Sequence, residues 1–299
     1  MNPYVKAVRA PFLAGSVIPV VIGSIFAFEQ GCFSFAYFFL CISGIIGLHL
    51  GANLLNDYFD AKGSDPINMR VTPFSGGSRV IQDGEVPAVT VLIMALVFFG
   101  IGLGTGAWLA LVGRPLAIPI GLLGLGAGWA YSAPPLKLMD RGWGEIIIFF
   151  AFGPLITLGT FYVMSGSLNW IAFMLGGPQG FFISGVIWIN QFPDFEADKK
   201  AGKRNLVVRS GPATARIFYL LIMISGFFSV IFIIGIFQFT YLIMLSFAAL
   251  PLAVKAMGIL WKEYLSYDRL IPAQALTIQT LIVHGLFLSL GVFLSHFNF

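Results

Sequence analysis

The chain has 299 residues, of which 58% are hydrophobic and only 10% are charged, and its mean hydropathy is +0.90. Soluble domains are about one quarter charged, so this composition excludes an ordinary soluble protein and predicts an all-α, polytopic membrane protein. The net charge of +4 lies in scattered loops rather than in a stripe, which argues against a nucleic-acid partner. Nor does the sequence indicate an obligate protein partner. Cys32 and Cys41 alone predict neither a disulfide framework nor a zinc site.

Apolar runs long enough to cross a bilayer, about 17–25 residues, occur nine times. They cover residues 11–29, 35–56, 88–111, 115–132, 144–164, 169–190, 213–233, 236–256 and 274–297. The first run follows two cations, as in a signal peptide, but shows no small-residue cleavage pattern, so we expect a retained helix.

We therefore predict a single domain over residues 1–299, with nine transmembrane helices around a central cavity and a cap of helix and loop on the cytoplasmic side. Residues 11–132 and 144–256 form two four-helix halves in this prediction, followed by the ninth helix. A faint repeat supports the halves, because an Asn-x3-Asp string ends both the second and the sixth helix.

Charges predict the orientation. All Lys and Arg residues except Arg114 fall in the N-terminal tail, in the loops after even-numbered helices or at the adjoining helix ends. Positive loops stay on the cytoplasmic side, so we expect an inner-membrane protein whose N-terminus is cytoplasmic and whose C-terminus is outside. The acids share that side apart from Glu29, which points to a cytoplasmic active site, although long loops also collect polar residues.

The first acidic cluster, NLLNDYFDAKGSD, ends the second predicted helix. Residues four apart share a helical face, which pairs Asn53 with Asp57 and Asn56 with Asp60. The loop over residues 57–87 is long for a helical bundle and therefore a candidate for function. Its TPFSGGSRVIQDG string has the Pro and Gly turns of an ordered cap.

The second cluster, NQFPDFEADKKAGKRN, follows the sixth predicted helix. Asn190, Asp194 and Asp198 would form one stripe on a helix. Pro193 predicts a kink or an end of that helix unless neighbouring groups compensate. The residues 191–212 are expected to form a second long loop.

Carboxylates at the end of a membrane helix are costly without partners, so we expect the two clusters to share one site for divalent metal and an anion, most simply a diphosphate. Mg²⁺ is often held by one or two carboxylates plus substrate phosphates. Nearby cations could neutralise the remaining phosphate charge, although any one of them could simply be a solvated loop residue. These candidates are Lys62, Arg70, Arg79, Lys199, Lys200, Lys203 and Arg204.

The loop YSAPPLKLMDRGWGE supplies a third element. Lys137 and Arg141 are candidate diphosphate partners or merely interfacial cations, and Tyr131 is a candidate contact for the acceptor or a carbocation. His49 lies one turn before Asn53 and is either a second such contact or a packed, hydrogen-bonded histidine.

The two clusters resemble the UbiA superfamily of intramembrane prenyltransferases. NDYFDAKGSD resembles its first motif, NDxxDxxxD, with one extra residue before the last acid, and DFEADKKAGKRNLVVRSG resembles the second. Together with YSAPP, these strings are most similar to the 1,4-dihydroxy-2-naphthoate prenyltransferases of menaquinone synthesis. The string NQFPD departs from that branch, because Pro193 stands where a cation is common.

The resemblance implies a Mg²⁺-dependent enzyme that transfers a polyprenyl group from its diphosphate to an aromatic acceptor. It implies that Asn56, Asp57 and Asp60 on one side and Asp194 and Asp198 on the other bind the metal. The implied diphosphate-binding residues are Asn53, Asn56, Lys62, Arg79, Lys137, Arg141, Asn190, Lys199 and Lys203. The acceptor would be 1,4-dihydroxy-2-naphthoate, with loss of carbon dioxide, and the prenyl chain would lie among the helices, open to membrane lipid.

Other acceptors stay open, including 4-hydroxybenzoate, homogentisate, a futalosine-pathway substrate and glycerol-phosphate lipids. A secondary transporter also has many helices and a weak repeat, but it predicts charges near the membrane midplane rather than at helix ends. A phospholipid synthase of the CDP-alcohol type lacks support, since the chain contains no DGxxAR-like string.

Overall fold

The computed structural model describes residues 2–297, and apart from one isolated β-bridge its regular elements are helical. The α-helices are α1 (Pro3–Ala7), α2 (Ala14–Glu29), α3 (Phe35–Asp60), α4 (Ala88–Leu111), α5 (Ala117–Ser132), α6 (Gly144–Phe150), α7 (Ile156–Ser165), α8 (Trp170–Leu175), α9 (Gly177–Lys200), α10 (Leu206–Ser210), α11 (Pro212–Phe237), α12 (Leu250–Glu263) and α13 (Tyr267–Ser295). Three short 3₁₀ segments, Ala10–Leu13, Asp65–Ile67 and Tyr241–Ala249, and a π-helical segment, Ala151–Leu155, complete the set within the described range.

Within residues 2–297, eight helical stretches are long and apolar enough to cross a membrane. The chain is therefore an integral membrane protein with an all-helical fold. The remaining predicted span corresponds to α5, whose 16 residues measure about 24 Å along the axis and fall short of that length. Four features thus stay predictions: the count of nine spans, the cytoplasmic cap, the orientation of the termini and the repeat of two halves.

The sequence placed the end of the sixth helix too early. α9 runs through Pro193 to Lys200, and α10 follows after a short turn, so the expected long loop over residues 191–212 is wrong. The fixed φ of proline suits a helix, and the lost hydrogen bond is tolerated where neighbouring groups compensate. Here Pro193 is buried among packed helices, and the acidic stripe therefore stays on a rigid element.

Several other boundaries also differ from the sequence prediction, among them the ends of α11 and α12, which extend to Phe237 and Glu263 instead of residues 233 and 256. α3 reaches Asp60, four residues beyond the predicted span, and α13 starts at Tyr267, ahead of the predicted residue 274. Polar residues at a helix end were assigned to loops, although a helix continues beyond the apolar core of the membrane into the headgroup region.

Buried side chains hold α9 at the centre of the bundle. Phe182, Val186 and Ile189 of this helix are at most 1% exposed, and α9 packs against α6, α11 and α13. α2 packs against α7 and α13, while α3 packs mainly against α4 and α5. The C-terminal ends of α3 and α9 lie at the same end of the bundle, which brings the two acidic clusters together.

Small residues set the distance between α9 and the chain around the π-helical segment. A Cβ at Gly153 would lie 2.5 Å from Gly180 N, and a Cβ at Gly180 would lie 2.6 Å from Phe149 O. Real Cβ atoms do not approach backbone so closely, and tight helix contact in membranes commonly uses glycine for this reason. The fold therefore depends on the absence of a side chain at both positions.

We predict that Gly153→Ala lowers the thermal unfolding midpoint, because the added methyl must push backbone against backbone, at a cost of about 1–3 kcal/mol. Gly121→Ala on α5 is the matched control, since a Cβ there meets nothing within 4 Å. Thermal unfolding in detergent compares the two, and an equal midpoint for both variants would contradict the close contact.

Candidate active site

Lys203 joins the two acidic clusters. Its Nζ lies 3.0 Å from Asp60 Oδ1 at the end of α3, 3.6 Å from Asp198 Oδ1 on α9 and 3.8 Å from Asp140 Oδ1 in the loop before α6. The side chain of Lys203 is only 6% exposed. Gly202, whose φ is +77°, forms the turn that returns Lys203 to α9, where its N–H donates to Asp198 O at 2.9 Å.

The loop between α3 and α4 contacts the ends of both helices. Asn68 Nδ2 donates to Asp194 Oδ1 at 2.7 Å, and Gly76 N donates to Asp194 Oδ2 at 3.3 Å. Ser78 N lies 3.3 Å from both oxygens of Asp57. The positive φ of Gly76 and the lack of room at Gly77, where a Cβ would lie 2.5 Å from Asp65 Oδ2, explain the glycine pair.

The N-terminal segment reaches the same region. Arg9 Nη1 lies 3.9 Å from Asp57 Oδ1, and Asn53 Nδ2 donates to Val8 O at 3.4 Å. On the outer surface, Lys6 pairs with Asp83 and Glu85 at 3.2 Å each. The segment before α2 thus helps to hold the first cluster in place.

The electrostatics reflect an excess of carboxylates. Burial would lower the pKa of Lys203, but Asp60, Asp198 and Asp140 outweigh burial and raise it, so the ammonium stays charged. Burial first, and then repulsion from Asp60 and Asp57, raises the pKa of the Asp65 carboxyl to about 7. A carboxyl whose pKa is raised by burial and by neighbouring carboxylates marks a place that a bound cation would stabilise.

A cavity of about 1410 Å³, including its open mouth, lies between these helix ends and the middle of the bundle. The polar side chains on its wall include Arg9, Asn53, Asn56, Asp60, Asp65, Asn190, Asp194, Asp198, Lys203 and Asn205. Its deeper wall is apolar, with Leu48, Ile147, Phe152, Ile183 and Ile187 among the lining residues. The cavity therefore combines a charged mouth with a hydrophobic interior.

Several predicted site residues line this cavity, and two of them form hydrogen bonds with neighbouring side chains. Asn56 Nδ2 donates to Asp60 Oδ2 at 3.1 Å, while Asn190 Oδ1 accepts from Gln274 Nε2 at 3.0 Å. Asp57 does not line the cavity but lies buried directly behind the wall.

The two candidate contacts for the acceptor also lie on the cavity wall. His49 hydrogen-bonds to Ser16 Oγ through Nδ1 and meets the Phe152 ring edge-on, with centroids 5.0 Å apart. His49 is therefore packed and hydrogen-bonded, as one alternative predicted, and because it also lines the cavity, its contact with the acceptor or a carbocation stays a prediction. Tyr131 is half-buried and lines the cavity from the end of α5.

Among the predicted cations, only Lys203 lines the cavity. Lys62 and Lys199 are exposed and lie over the rings of Tyr58 and Phe195. The other six lie outside the cavity wall. Arg79 donates to Asp65 O at 2.6 Å, Arg141 donates to Pro135 O at 2.8 Å, and Arg70 lies over the ring of Tyr267. The remaining three, Lys137, Lys200 and Arg204, are exposed.

Three residues of the site were not predicted from the sequence, namely Arg9, Asn68 and Asn205. Asn205 donates to Asp198 Oδ2 at 2.8 Å and also caps α10 by accepting from Val208 N at 2.8 Å. An Asn just before an apolar run is a helix-start signal that could have identified Asn205. No local signal indicates Arg9 or Asn68, because their positions depend on the path of the tail and of the loop.

The donor set fits Mg²⁺ bound together with an anion. Within residues 2–297, no group of three or more His, Cys, Asp and Glu side chains is arranged to hold a metal ion. Instead, Asn56 and Asp60 from α3 face Asp194 and Asp198 from α9 across the cavity mouth. Hard oxygen donors in pairs, with room for phosphate oxygens and water, are the usual form of a Mg²⁺ site.

The chain is similar to known proteins over most of its length. The sequence pattern of the UbiA prenyltransferase family matches residues 16–291. The 1,4-dihydroxy-2-naphthoate octaprenyltransferase of Bacillus subtilis is 24% identical over 294 residues, covering 97% of this chain and 92% of that protein. The enzyme of the same name from Mycobacterium tuberculosis is 27% identical over 257 residues, covering 85% of each.

The fold is shared with a solved UbiA homologue from Archaeoglobus fulgidus bound to DMAPP and Mg²⁺. The TM-score is 0.66 at 16% sequence identity, covering 97% of this chain and 98% of that chain. The family match extends over nearly the whole chain, and the chain therefore belongs to the UbiA prenyltransferase family and is a prenyltransferase of the membrane.

Proposed function

We propose that this enzyme transfers a polyprenyl group from polyprenyl diphosphate to 1,4-dihydroxy-2-naphthoate, with loss of carbon dioxide, at a Mg²⁺-dependent site facing the cytoplasm. The supporting observation is the single cavity where carboxylates from α3 and α9 meet around Lys203 above an apolar interior. Relatives named for this acceptor align over 85% or more of the chain. Prenylation of 4-hydroxybenzoate or homogentisate is the alternative.

The residues suggest how the reaction proceeds. Asn56, Asp60, Asp194 and Asp198, with Asp57 behind them, would hold Mg²⁺, which when bound supplies positive charge to the departing diphosphate. Lys203, fixed by three carboxylates, adds a further cation for the same oxygens.

The apolar interior receives the prenyl chain and keeps water away from the allylic carbon as its bond to the diphosphate oxygen breaks. The electron-rich ring of the acceptor then forms a bond to that carbon, and the ring position loses its carboxylate as carbon dioxide. The aromatic wall residues, such as Phe152, can stabilise the positive charge on the allylic group.

An acceptor panel tests the proposal directly. Membranes containing the enzyme receive geranylgeranyl diphosphate, Mg²⁺ and either 1,4-dihydroxy-2-naphthoate, 4-hydroxybenzoate or homogentisate. We expect a prenylated product from the naphthoate, with a mass that reflects the loss of carbon dioxide. Product from only another acceptor would refute the naphthoate assignment and leave the diphosphate site intact.

Replacing an acid on the cavity wall should remove turnover. We predict that Asp198→Asn lowers kcat by at least about a hundredfold, since metal-borne charge stabilisation is worth several kcal/mol. Asp83→Asn is the control, because Asp83 pairs with Lys6 on the surface, and it should keep full activity. Normal turnover by the Asp198 variant, measured by release of diphosphate, would exclude this carboxylate from the site.

Lys203 should also stabilise the folded protein. Removing one partner from a buried ion pair costs about 3–5 kcal/mol, so Lys203→Ala should lower the thermal midpoint because it leaves Asp60 and Asp198 unpaired. Mg²⁺ with inorganic pyrophosphate should restore part of the loss. Lys199→Ala, at an exposed neighbouring position, should unfold like the wild type. Identical midpoints for the two variants would show that Lys203 does not balance these acids.

A further inference from the structure

Gln274 is a fully buried polar residue of α13, and one of its two polar atoms has no partner. It is 0% exposed and does not line the cavity. Its Nε2 donates to Asn190 Oδ1 at 3.0 Å, while its Oε1 has no hydrogen-bond partner among residues 2–297. A buried carbonyl without a partner is costly, and an apolar side chain would avoid that cost. Within the described residues, the bond to Asn190 therefore accounts for a polar side chain at this position.

Asn190 lies on α9 where the cavity wall changes from charged to apolar. The α9 residues that line the cavity are Ile183, Ile187, Asn190, Gln191, Asp194 and Asp198. Asn190 is one turn deeper than Asp194, about 6 Å along the helix axis, and Ile187 follows it toward the interior. A group presented by Asn190 would therefore meet the inner end of a diphosphate whose outer oxygens lie at the acids.

The neighbouring amide of Gln191 is not available to a molecule in the cavity. Its Nε2 donates to Glu145 Oε1 at 2.7 Å, and its Oε1 is enclosed by protein. Asn190 differs, because Gln274 occupies its Oδ1, whereas its Nδ2 forms no hydrogen bond with residues 2–297 and is not enclosed. With Oδ1 held by α13, the NH₂ group of Asn190 is the polar group left to face the cavity.

The charge of the site favours the same orientation of the Asn190 amide. Asp194 lies one turn away on the same helical face. The amide hydrogens are attracted to its charge, whereas the carbonyl oxygen would be repelled. Gln274 adds to this preference, since its Nε2 can only donate and therefore requires Oδ1 on the side of α13. Both effects direct Nδ2 of Asn190 into the cavity.

We propose that Gln274 is a positioning residue, which holds Asn190 so that Nδ2 donates a hydrogen bond to the ester oxygen of the prenyl diphosphate. As the bond between that oxygen and the allylic carbon breaks, its electron pair stays on the oxygen. The hydrogen bond from Nδ2 strengthens with the growing negative charge, and no proton is transferred. The inference rests on the proposed function for the diphosphate and is independent of which acceptor is used.

Binding without an acceptor tests this contact at the level of one atom. Calorimetry on the purified full chain with Mg²⁺ gives Kd for geranylgeranyl diphosphate and for its analogue with sulfur in place of the ester oxygen. Sulfur is a weak hydrogen-bond acceptor, so the wild type should bind the oxygen compound several-fold more tightly. Asn190→Leu, which lacks the donor, gives the intrinsic ratio of the two Kd values. Gln274→Met should shift the wild-type ratio most of the way to that value.

Thr280→Val is the matched control. Thr280 is also buried on α13, and its hydroxyl donates to Leu276 O of the same helix at 2.8 Å, so this variant should keep the wild-type ratio. Gln274→Met should unfold near the wild-type midpoint, because the change removes an unpaired carbonyl together with a hydrogen bond. Gln274→Leu repeats the measurement with a second apolar side chain.

Turnover separates positioning from a structural role. With the acceptor that the panel identifies, Gln274→Met should lower kcat about tenfold, because the hydrogen bond is strongest in the transition state, and it should leave KM for the acceptor unchanged. In an Asn190→Leu background, the same change should have no further effect on kcat. A purely structural Gln274 would instead lower kcat in both backgrounds.

A ratio of Kd values that Gln274→Met leaves at the wild-type level would overturn the inference and keep the diphosphate site. A raised acceptor KM in that variant, with the ratio unchanged, would place Nδ2 against the acceptor and would overturn it as well. Wild-type protein that binds neither compound would refute the diphosphate site of the proposed function, and the inference with it.

Discussion

The ion cluster around Lys203 is the interaction on which the active-site end of the bundle depends. One ammonium, nearly excluded from water, contacts carboxylates from α3, α9 and the loop before α6. Burying charges is unfavourable unless each finds a partner, so these elements must end together for the cluster to exist. The acids nevertheless outnumber the cations that line the cavity, namely Lys203 and Arg9. The same arrangement thus stabilises the fold and leaves a deficit of positive charge where a metal-bound diphosphate would fit.

Rigid elements hold most of the charged groups, while a loop completes their hydrogen bonds. Asp60 and Asp198 sit on long helices whose apolar faces are packed, whereas Asp57 and Asp194 receive N–H groups from the loop between α3 and α4. The glycine pair in that loop makes the approach of its backbone possible.

The acids of the site were predictable from the sequence, because carboxylates at the ends of apolar helices stand out in a chain with so few charges. The sequence did not show which of the neighbouring cations lies in the site. Lys199, Lys200, Lys203 and Arg204 are equivalent in sequence, and only the turn at Gly202 directs Lys203 inward. Arg9 and Asn68 depend on long-range packing of the tail and the loop. The predicted ends of the helices are wrong for a related reason. Polar residues after an apolar run indicate a loop, but α3 and α9 remain helical through their acidic ends.

The central claim is that α3 and α9 bind one metal–diphosphate unit jointly. Mn²⁺ in place of Mg²⁺ allows a direct measurement, in which electron paramagnetic resonance counts the ions bound in the presence of an unreactive prenyl thiodiphosphate. A double-mutant cycle of Asp60→Asn and Asp194→Asn then measures their coupling. The account predicts that either substitution alone removes most of the analogue-dependent Mn²⁺ binding and that the double variant loses little more. Losses that simply add, or binding that survives one substitution unchanged, would show that the two helix ends do not share their ions.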